Sequence, residues 1–151
     1  MAQSAHAANE PSRIAELLGG ERTLGRKIRT SLELEECARD GFPAEVAKAL
    51  LEESVVSLRE LYGWIVPRRT LAHRVKKRQR LSLDESNRVS RVARIYALAV
   101  ETLGEREKAN RWLRKPLRQF AGRTPMEMLE TELGAHQVEN LLGRISHGLA
   151  A

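Results

Sequence analysis

The chain has 151 residues, of which 42% are hydrophobic and 30% charged, so it is long enough for one ordinary domain or two very small ones. Its one cysteine, Cys37, excludes an internal disulfide, and no apolar run approaches the roughly 20 residues that span a bilayer. The net charge of +6 is concentrated, because residues 68–80 carry seven basic groups and no acid while the rest of the chain is close to neutral.

The first third of the chain predicts a flexible start followed by three helices. Residues 1–10 show no apolar periodicity and are expected to be flexible. A short helix follows over about 12–18 and is closed by Gly19 and Gly20. The second helix is predicted over 24–38, and the third begins at Pro43 and runs to about 53. The predicted apolar face of the second helix consists of Leu24, Ile28, Leu32 and Cys37.

Three later helix starts carry the capping-box pattern, a hydroxyl residue followed three positions later by glutamate. These pairs are Ser57 with Glu60, Ser82 with Glu85, and Thr124 with Glu127. Together with the apolar spacing, they predict helices over about 57–64, 84–103, 105–114, 125–132 and 135–147. The sequence contains no convincing alternation of period two, so the expected fold class is all-α.

Residues 57–78 predict a helix-turn-helix. A short helix leads to a tight connection at Val66 and Pro67, and a basic second helix begins near Arg68. Leu71 and Val75 are four residues apart and are expected to pack against Leu58, Leu61 and Ile65. The outer face is then left with the candidate DNA-binding residues Arg68, Arg69, Thr70, His73, Arg74 and Lys77.

Several alternatives stay open for this segment. The basic stretch could be a solvated helix face, the two helices an ordinary surface hairpin, and His73 an inert surface residue. RNA is the lesser option, since aromatic residues that could stack on bases are scarce here. Four cations following the candidate face are better placed to contact phosphates: Lys76, Lys77, Arg78 and Arg80.

No set of residues predicts an enzyme. The four histidines are scattered, and neither a phosphate-binding loop nor a dinucleotide fingerprint occurs. Acidic neighbours disfavour a reactive thiolate at Cys37. We therefore expect no catalytic residues, no cofactor and no metal. Residues 1–9 lack the basic and apolar segments of a signal peptide, so a cytoplasmic protein without membrane contact is expected.

From residue 43 to residue 148 the sequence resembles the antitoxins of the Xre/MbcA/ParS type. The runs VPRRTLAHR and LSLDESNRVSRVARIYALA are similar to the helix-turn-helix part of that family. The C-terminal half matches its toxin-binding pattern at Ala109, Trp112, Leu113, Pro116, Gly122, Thr124, Pro125, Glu132, Gly134, Val138, Ile145, His147 and Gly148. One departure is Ile65, since the family commonly has a glycine at this place in the turn.

The resemblance implies a non-enzymatic antitoxin with two partners. It would cover the active site of a RES-domain toxin that degrades NAD, and it would repress its own operon by binding operator DNA as a homodimer. The implied organisation is a flexible segment with a short helix over 1–22, a DNA-binding domain over 23–103 and a toxin-binding domain over 104–151. The alternative is a stand-alone transcription regulator whose C-terminal domain dimerises.

The last helix offers the candidate toxin-binding residues Asn140, Gly143, Arg144, His147 and Gly148, because Val138, Leu141, Leu142 and Ile145 are expected to face the core. Gly143 indicates either close approach by another backbone or a tolerated imperfection. The chain end after His147 would enter the cleft of the toxin or stay a solvated terminus. Trp112 is interpreted as a core anchor rather than a contact residue. The apolar stripe of helix 84–103 could serve the core or a dimer seam.

Overall fold

The computed structural model describes residues 2–148, with side chains from residue 10 onward, and this part of the chain is helical as expected. The α-helices are α1 Ala2–Leu17, α2 Gly20–Leu24, α3 Ser31–Asp40, α4 Val46–Glu52, α5 Leu58–Glu60, α6 Arg68–Lys76, α7 Leu83–Leu103, α8 Arg106–Leu113, α9 Pro125–Met128 and α10 Glu132–Ser146. A π-helical turn covers Leu61–Ile65, a 3-10 turn covers Arg118–Phe120, and an isolated bridge pairs Pro43 with Arg80. No described helix has both the length and the apolar character needed to cross a membrane.

Contacts divide the chain into a unit of residues 1–93 and a unit of residues 94–151. The division falls within α7, after Ala93, whereas the sequence analysis placed the domain boundary after residue 103. Gly104, which follows the end of α7, was taken as the start of the toxin-binding domain. The helix instead supplies buried residues on both sides of the division, among them Val92 before it and Tyr96 after it.

The stripe along α7 is used inside the chain. Val89, Val92, Tyr96 and Ala99 are each 0% exposed. A side chain that is fully covered by its own chain has no surface left for a second copy. These four residues therefore pack within their own chain rather than in a dimer seam, whereas Leu103 at the end of the stripe is half-buried.

The N-terminal helix is longer than predicted. The described part of α1 begins at Ala2, ten residues before the expected start at about residue 12, and Met1 lies outside the described residues. Residues 2–9 include four alanines, and alanine has the highest intrinsic helix propensity. The lack of apolar periodicity in residues 1–10 was interpreted as flexibility. It indicates only that a helix here would have no strongly apolar face, not that the helix is absent.

The predicted helix over 24–38 is wrong. The chain leaves α2 at Gly25, which has a φ of 75°, and α3 starts after Thr30. Thr30 and Glu33 form a capping box, in which each side chain accepts from the backbone N–H of the other residue at 3.1 Å. Because the helical register restarts at Thr30, Leu32 points away from the core and is 66% exposed.

All three predicted capping boxes are present. The hydroxyls of Ser57 and Ser82 each accept from the backbone of their glutamate at 3.1 Å, and that of Thr124 does so at 3.0 Å. The glutamates reach back to the backbone N–H groups of the cap residues. These starts are correct to within a residue or two, as is the end of α7 at Leu103.

The predicted boundary between the last two helices is wrong. Gly134 was expected to stop a helix over 125–132, but α9 ends at Met128 and Gly134 lies inside α10, whose N-cap Thr131 accepts from the Gly134 N–H at 2.9 Å. A Cβ at Gly134 would collide with the carbonyl group of Met128. The glycine is therefore required by the close approach of the α9 backbone, and it does not end a helix.

Candidate DNA-binding and partner-binding surfaces

The first surface is built on the tight connection between α5 and α6. Leu61, Ile65 and Val66 are fully buried, and the Val66 N–H donates to the Leu61 carbonyl at 3.0 Å, which closes the π-helical turn. Val66 is extended, and Pro67 precedes the first residue of α6. The helix-turn-helix arrangement is present, although its first helix is shorter than predicted and finishes as a π turn.

Ile65, which stands where the resemblance implies a glycine, adopts its conformation without strain. It lies in the π-helical turn with no positive φ and is 0% exposed, so its side chain anchors the turn in the core. Gly63, two positions earlier, also has no positive φ, and a Cβ there would meet nothing within 4 Å. This connection therefore does not depend on the freedom of a glycine backbone.

Five of the six predicted DNA-binding residues lie where a ligand could reach them. Arg68, Arg69, His73 and Lys77 are exposed, and Thr70 is half-buried. The exposed face of α6 follows the helical spacing of Arg69, Ala72, His73 and Lys76, which are three, four and seven residues apart. Ala72 was not among the candidates, and Lys76 was assigned only to phosphates. Continuing the spacing from Arg69 along the helix would have found both.

Arg74, the sixth candidate, is held against the next helix. Its Nε donates to Glu85 Oε1 at 2.8 Å and its Nη2 to Oε2 at 3.4 Å, and the two side chains are only 25% and 7% exposed. Glu85 also accepts from the Ser82 N–H at 2.7 Å. The prediction that Arg74 belongs to the outer face is wrong, since position 74 lies on the inner side of α6.

The charge of Glu85 is stabilised by these contacts. Burial by itself would raise the pKa of the Glu85 carboxyl. The Ser82 N–H and the Arg74 guanidinium both donate to it, and Arg74 adds its positive charge. Their combined effect is larger, so the pKa of Glu85 lies below its usual value. The Glu85 carboxyl is therefore ionised at neutral pH.

The predicted packing of α6 is only partly correct. Leu71 is half-buried, but Val75 is 46% exposed and Leu58, its expected partner, is 56% exposed. The inner side of α6 is completed by the charged pair of Arg74 and Glu85, which the apolar pattern could not reveal. The apolar spacing of four therefore placed Leu71 correctly on the inner side of α6. It placed Val75 there wrongly and missed Arg74.

The basic segment ends in a turn that engages its last cation. Arg78 has a φ of 53°, and the Gln79 N–H donates to the Arg74 carbonyl at 2.8 Å. Arg80 Nη1 then donates to the Gly41 carbonyl at 3.0 Å. Of the four cations expected to contact phosphates, Lys76, Lys77 and Arg78 extend the exposed basic surface, whereas Arg80 ties the segment to the loop before α4.

The second surface lies on α10. Val138, Leu141 and Leu142 are buried as expected, while Ile145 is half-buried. Four of the candidate toxin-binding residues are exposed, namely Asn140, Arg144, His147 and Gly148, and Gly143 is half-buried. The predicted role of the tail concerns residues that include 149–151, which lie outside the described residues.

Gly143 differs from Gly134 in what surrounds it. A Cβ added at Gly143 would meet nothing within 4 Å, whereas a Cβ at Gly134 would collide with Met128. The fold of this unit therefore requires a glycine at position 134 and leaves the space over position 143 open. No contact within the described chain accounts for the glycine at 143.

Two hydrogen-bonded groups position α10 and its neighbours in the second unit. Arg94 Nη1 donates to both oxygens of Glu139, at 3.1 and 3.3 Å, and so ties α7 to α10. The Asn110 amide donates to the Tyr96 hydroxyl at 3.0 Å and accepts from Arg114 at 2.8 Å. Trp112, interpreted as a core anchor, is only half-buried, and the fully buried residues of α8 are Ala109 and Leu113.

An open groove runs between α9 and α10. It is lined mostly by polar side chains, and Leu133 stands in its wall with 82% of its surface exposed. Within residues 10–148, no three histidine, cysteine, aspartate or glutamate side chains lie together as a metal site would need. The surfaces on α6 and α10 therefore offer charged, hydrogen-bonding and small apolar groups rather than metal ligands.

Comparison with known proteins agrees with the two units. Residues 33–94 match the family model of the antitoxin Xre-like helix-turn-helix domain, and residues 98–148 match that of the antitoxin Xre/MbcA/ParS C-terminal toxin-binding domain. The interval between the two matches, residues 95–97, lies next to the division after Ala93.

Three curated relatives carry the name antitoxin Xre. One from Pseudomonas putida is 38% identical over 156 residues, which cover 96% of this chain and 98% of the relative. One from Yersinia enterocolitica is 31% identical over 130 residues, 85% of this chain and 88% of the relative. One from Photorhabdus laumondii is 38% identical over 84 residues, 55% of this chain and 57% of the relative.

Proposed function

The chain belongs to the Xre antitoxin family, and from that premise we propose that it neutralises a RES-domain toxin that degrades NAD and represses its own operon. The matched family models describe a helix-turn-helix domain and a toxin-binding domain, which supports a regulatory role rather than a catalytic one. The observation that carries the proposal is that each unit has an exposed surface of its own, one on α6 in the first unit and one on α10 in the second.

The α6 surface is suited to the major groove of DNA. Arg69, Ala72, His73 and Lys76 form one face, flanked by Arg68 and Lys77, and α6 contains no acidic residue. A guanidinium matches the two acceptors of guanine, and an alanine methyl can contact the methyl group of thymine. The small side chain of Ala72, between longer ones, lets the helix axis approach the base edges. Thr70, at the half-buried margin, would reach a phosphate.

Arg74 acts as a positioning residue in this proposal. Its pair with Glu85 fixes the side of α6 opposite the exposed face to the first turn of α7. A recognition helix must keep its orientation to read base edges, because a small rotation moves every outer side chain. Arg74 therefore supports base reading without touching a base.

Binding to the toxin would use the exposed side of α10. Asn140, Arg144, His147 and Gly148 offer hydrogen bonds and positive charge, and the open space over Gly143 admits the backbone of a partner. Side chains of this kind, near the end of a helix, could reach into a cleft that binds an anionic dinucleotide. Covering that cleft would keep NAD out of the toxin.

Operator binding is proposed to involve a homodimer. Two recognition helices, one per copy, would reach half-sites about one DNA turn apart. Val89, Val92, Tyr96 and Ala99 of the α7 stripe are covered within their own chain, so we place the dimer contact elsewhere. The mass of the purified protein, measured by light scattering, tests this part.

The central test is co-expression with the product of the neighbouring toxin gene. We expect the chain to form a stable complex with that protein and to restore cellular NAD and growth. A reporter driven by the operon's own promoter should be repressed by the same chain. If NAD stays depleted and no complex forms while the reporter is repressed, the chain is a stand-alone regulator and neutralisation is overturned.

A further inference from the structure

A second acid-free basic stretch lies in the C-terminal unit. Residues 108–123 contain six basic residues and no acid. The average charge of the C-terminal half conceals it, because acids are frequent on either side. With residues 68–80 and 108–123 set aside, the remaining chain has 13 basic and 20 acidic residues, a net charge of −7. Net positive charge is thus concentrated in these two segments, and residues 22–32, with four basic residues and no acid, form a smaller third one.

The second stretch is held in a defined shape. After α8, the Leu117 N–H donates to the Arg123 carbonyl and the Gly122 N–H to the Leu117 carbonyl, both at 3.0 Å. Phe120 is buried and anchors the loop from beneath. Ala121 and Gly122 both have positive φ values, which turn the chain back toward α9. The loop therefore displays its cations from a preformed backbone.

Two of the six cations are engaged locally, and a third borders a groove. Arg114 donates to Asn110 at 2.8 Å. Arg111 lies 3.5 Å from Glu107 on the surface of α8, and Arg123 lines the groove between α9 and α10 together with Glu127. The other three are exposed and make no side-chain ion pair or hydrogen bond to the described part of the chain: Lys108, Lys115 and Arg118.

We propose that Lys108, Lys115 and Arg118, the α8 basic surface, bind the phosphodiester backbone of DNA. Lys108 lies on α8, Lys115 lies in the turn directly after α8 ends at Leu113, and Arg118 begins the 3-10 turn that follows. The toxin-binding unit would then contribute to DNA affinity in addition to α6. This surface would not recognise a particular DNA sequence, because phosphate contacts position a protein without selecting bases.

The observations favour DNA over an acidic protein as the occupant. The core of a protein interface is depleted in charged residues, lysine above all, and needs an exposed apolar centre. Here the apolar residues Leu113 and Phe120 are buried, and Trp112 on α8 is half-buried. A surface of flexible cations without an exposed apolar centre is suited to bind phosphates, because phosphate binding depends on charge more than on shape complementarity.

The test uses the full chain and the dependence of DNA affinity on salt. The triple variant Lys108→Gln, Lys115→Gln, Arg118→Gln is compared with the control Arg22→Gln, Lys27→Gln, Arg29→Gln, which removes equal charge from exposed sites in the first unit. Fluorescence anisotropy on a long mixed-sequence duplex gives log K against log salt. Each phosphate contact contributes about −0.9 to that slope, so losing three flattens it by about 2 to 3.

The control variant is expected to keep the slope of the unsubstituted chain, and both variants to keep its thermal stability. Equal slopes for the two variants would overturn the proposal. A triple variant that keeps the slope but no longer co-purifies with the toxin would also overturn it and assign the surface to an acidic face of that protein. If the unsubstituted chain does not bind the duplex, DNA binding by both surfaces is rejected.

Discussion

Arg74 and Glu85 join α6 to the first turn of α7 through a hydrogen bond of 2.8 Å between Nε and Oε1. The same oxygen accepts from the Ser82 N–H, so one carboxylate caps a helix and holds its neighbour. The orientation of α6 therefore depends on how α7 begins. Two arginines of α6 that look equivalent in the sequence therefore lie in different environments, Arg69 in solvent and Arg74 against Glu85.

Replacing these arginines separately should distinguish base contact from positioning. Arg74→Ala leaves Glu85 buried without its partner, and we expect a loss of about 1–3 kcal/mol in the free energy of unfolding. Arg69→Ala removes an exposed side chain and should change stability by less than about 0.5 kcal/mol. Urea unfolding followed by circular dichroism measures both.

The same pair of variants gives a second readout in DNA binding. Arg69→Ala should weaken specific binding by about 1–3 kcal/mol and relax the preference at one base position. Arg74→Ala should weaken binding in proportion to its loss of structure, without a change of base preference. A selective change in base preference for Arg74→Ala would contradict its role as a positioning residue.

Because of the Glu85 contacts, the free energy of unfolding depends on pH in the acidic range. The pKa of Glu85 is lower in the folded chain than its usual value. Its contribution to stability is therefore complete above the unfolded pKa of about 4.3 and is lost as the pH falls through the folded pKa. We expect the difference in unfolding free energy between the unsubstituted chain and Glu85→Gln to be constant near neutral pH and to shrink below about pH 4.

Measuring that difference at several pH values isolates Glu85 from other acids. The pKa of Glu33 is lowered too, by hydrogen bonds from the backbone of Arg29 and Thr30, but Glu33 is present in both proteins. A difference that stays constant down to strong acid would show that the Glu85 charge contributes no net stability.

Gly143 offers a substitution that should affect the partner more than the fold. A Cβ at this position meets nothing within 4 Å, so Gly143→Ala should stabilise α10 by up to about 1 kcal/mol. If the backbone of the toxin occupies that space, the same methyl group should weaken the complex at least several-fold. Isothermal titration with the purified toxin measures the affinity, and thermal melts measure the stability.

Gly63→Ala is the matched control, because its Cβ also meets open space and its φ is not positive. This variant lies in the first unit and should leave toxin affinity unchanged. Equal toxin affinity for both variants would mean that Gly143 is a tolerated imperfection of the helix.

Truncation tests the chain end. Since α10 ends at Ser146 and His147 is exposed, removing residues 147–151 should abolish neutralisation while DNA binding and thermal stability stay unchanged. Removing residues 149–151 alone separates the contribution of His147 and Gly148 from that of the tail. Full neutralisation at unchanged affinity after the longer deletion would exclude this end from the toxin interface.

The features that the sequence predicted well are those coded by short, local patterns. Three capping boxes and the long stripe of α7 follow from spacings of three and four residues, and the all-helical fold class follows from them. The Xre-type assignment rested on longer runs of ordered residues, and the family matches bear it out. The capping box of Thr30 and Glu33 had the same form as the others and could have divided the predicted helix over 24–38.

The features that were missed depend on contacts between distant residues. The inward position of Arg74 is explained by Glu85, eleven residues later, and the need for a glycine at 134 by the carbonyl of Met128. Apolar periodicity treats every arginine as exposed and every glycine as a stop. The second basic stretch was missed for another reason, since charge was averaged over the whole of residues 81–151.

The division of α6 into an exposed and an anchored side has a practical consequence for engineering. Residues 69, 72, 73 and 76 can be exchanged as a set, while Arg74 and Glu85 keep the scaffold rigid beneath them. Under the proposed function, retargeting this chain to a foreign promoter is then a matter of grafting four side chains, and the proposed toxin-binding surface in the other unit would be carried along unaltered.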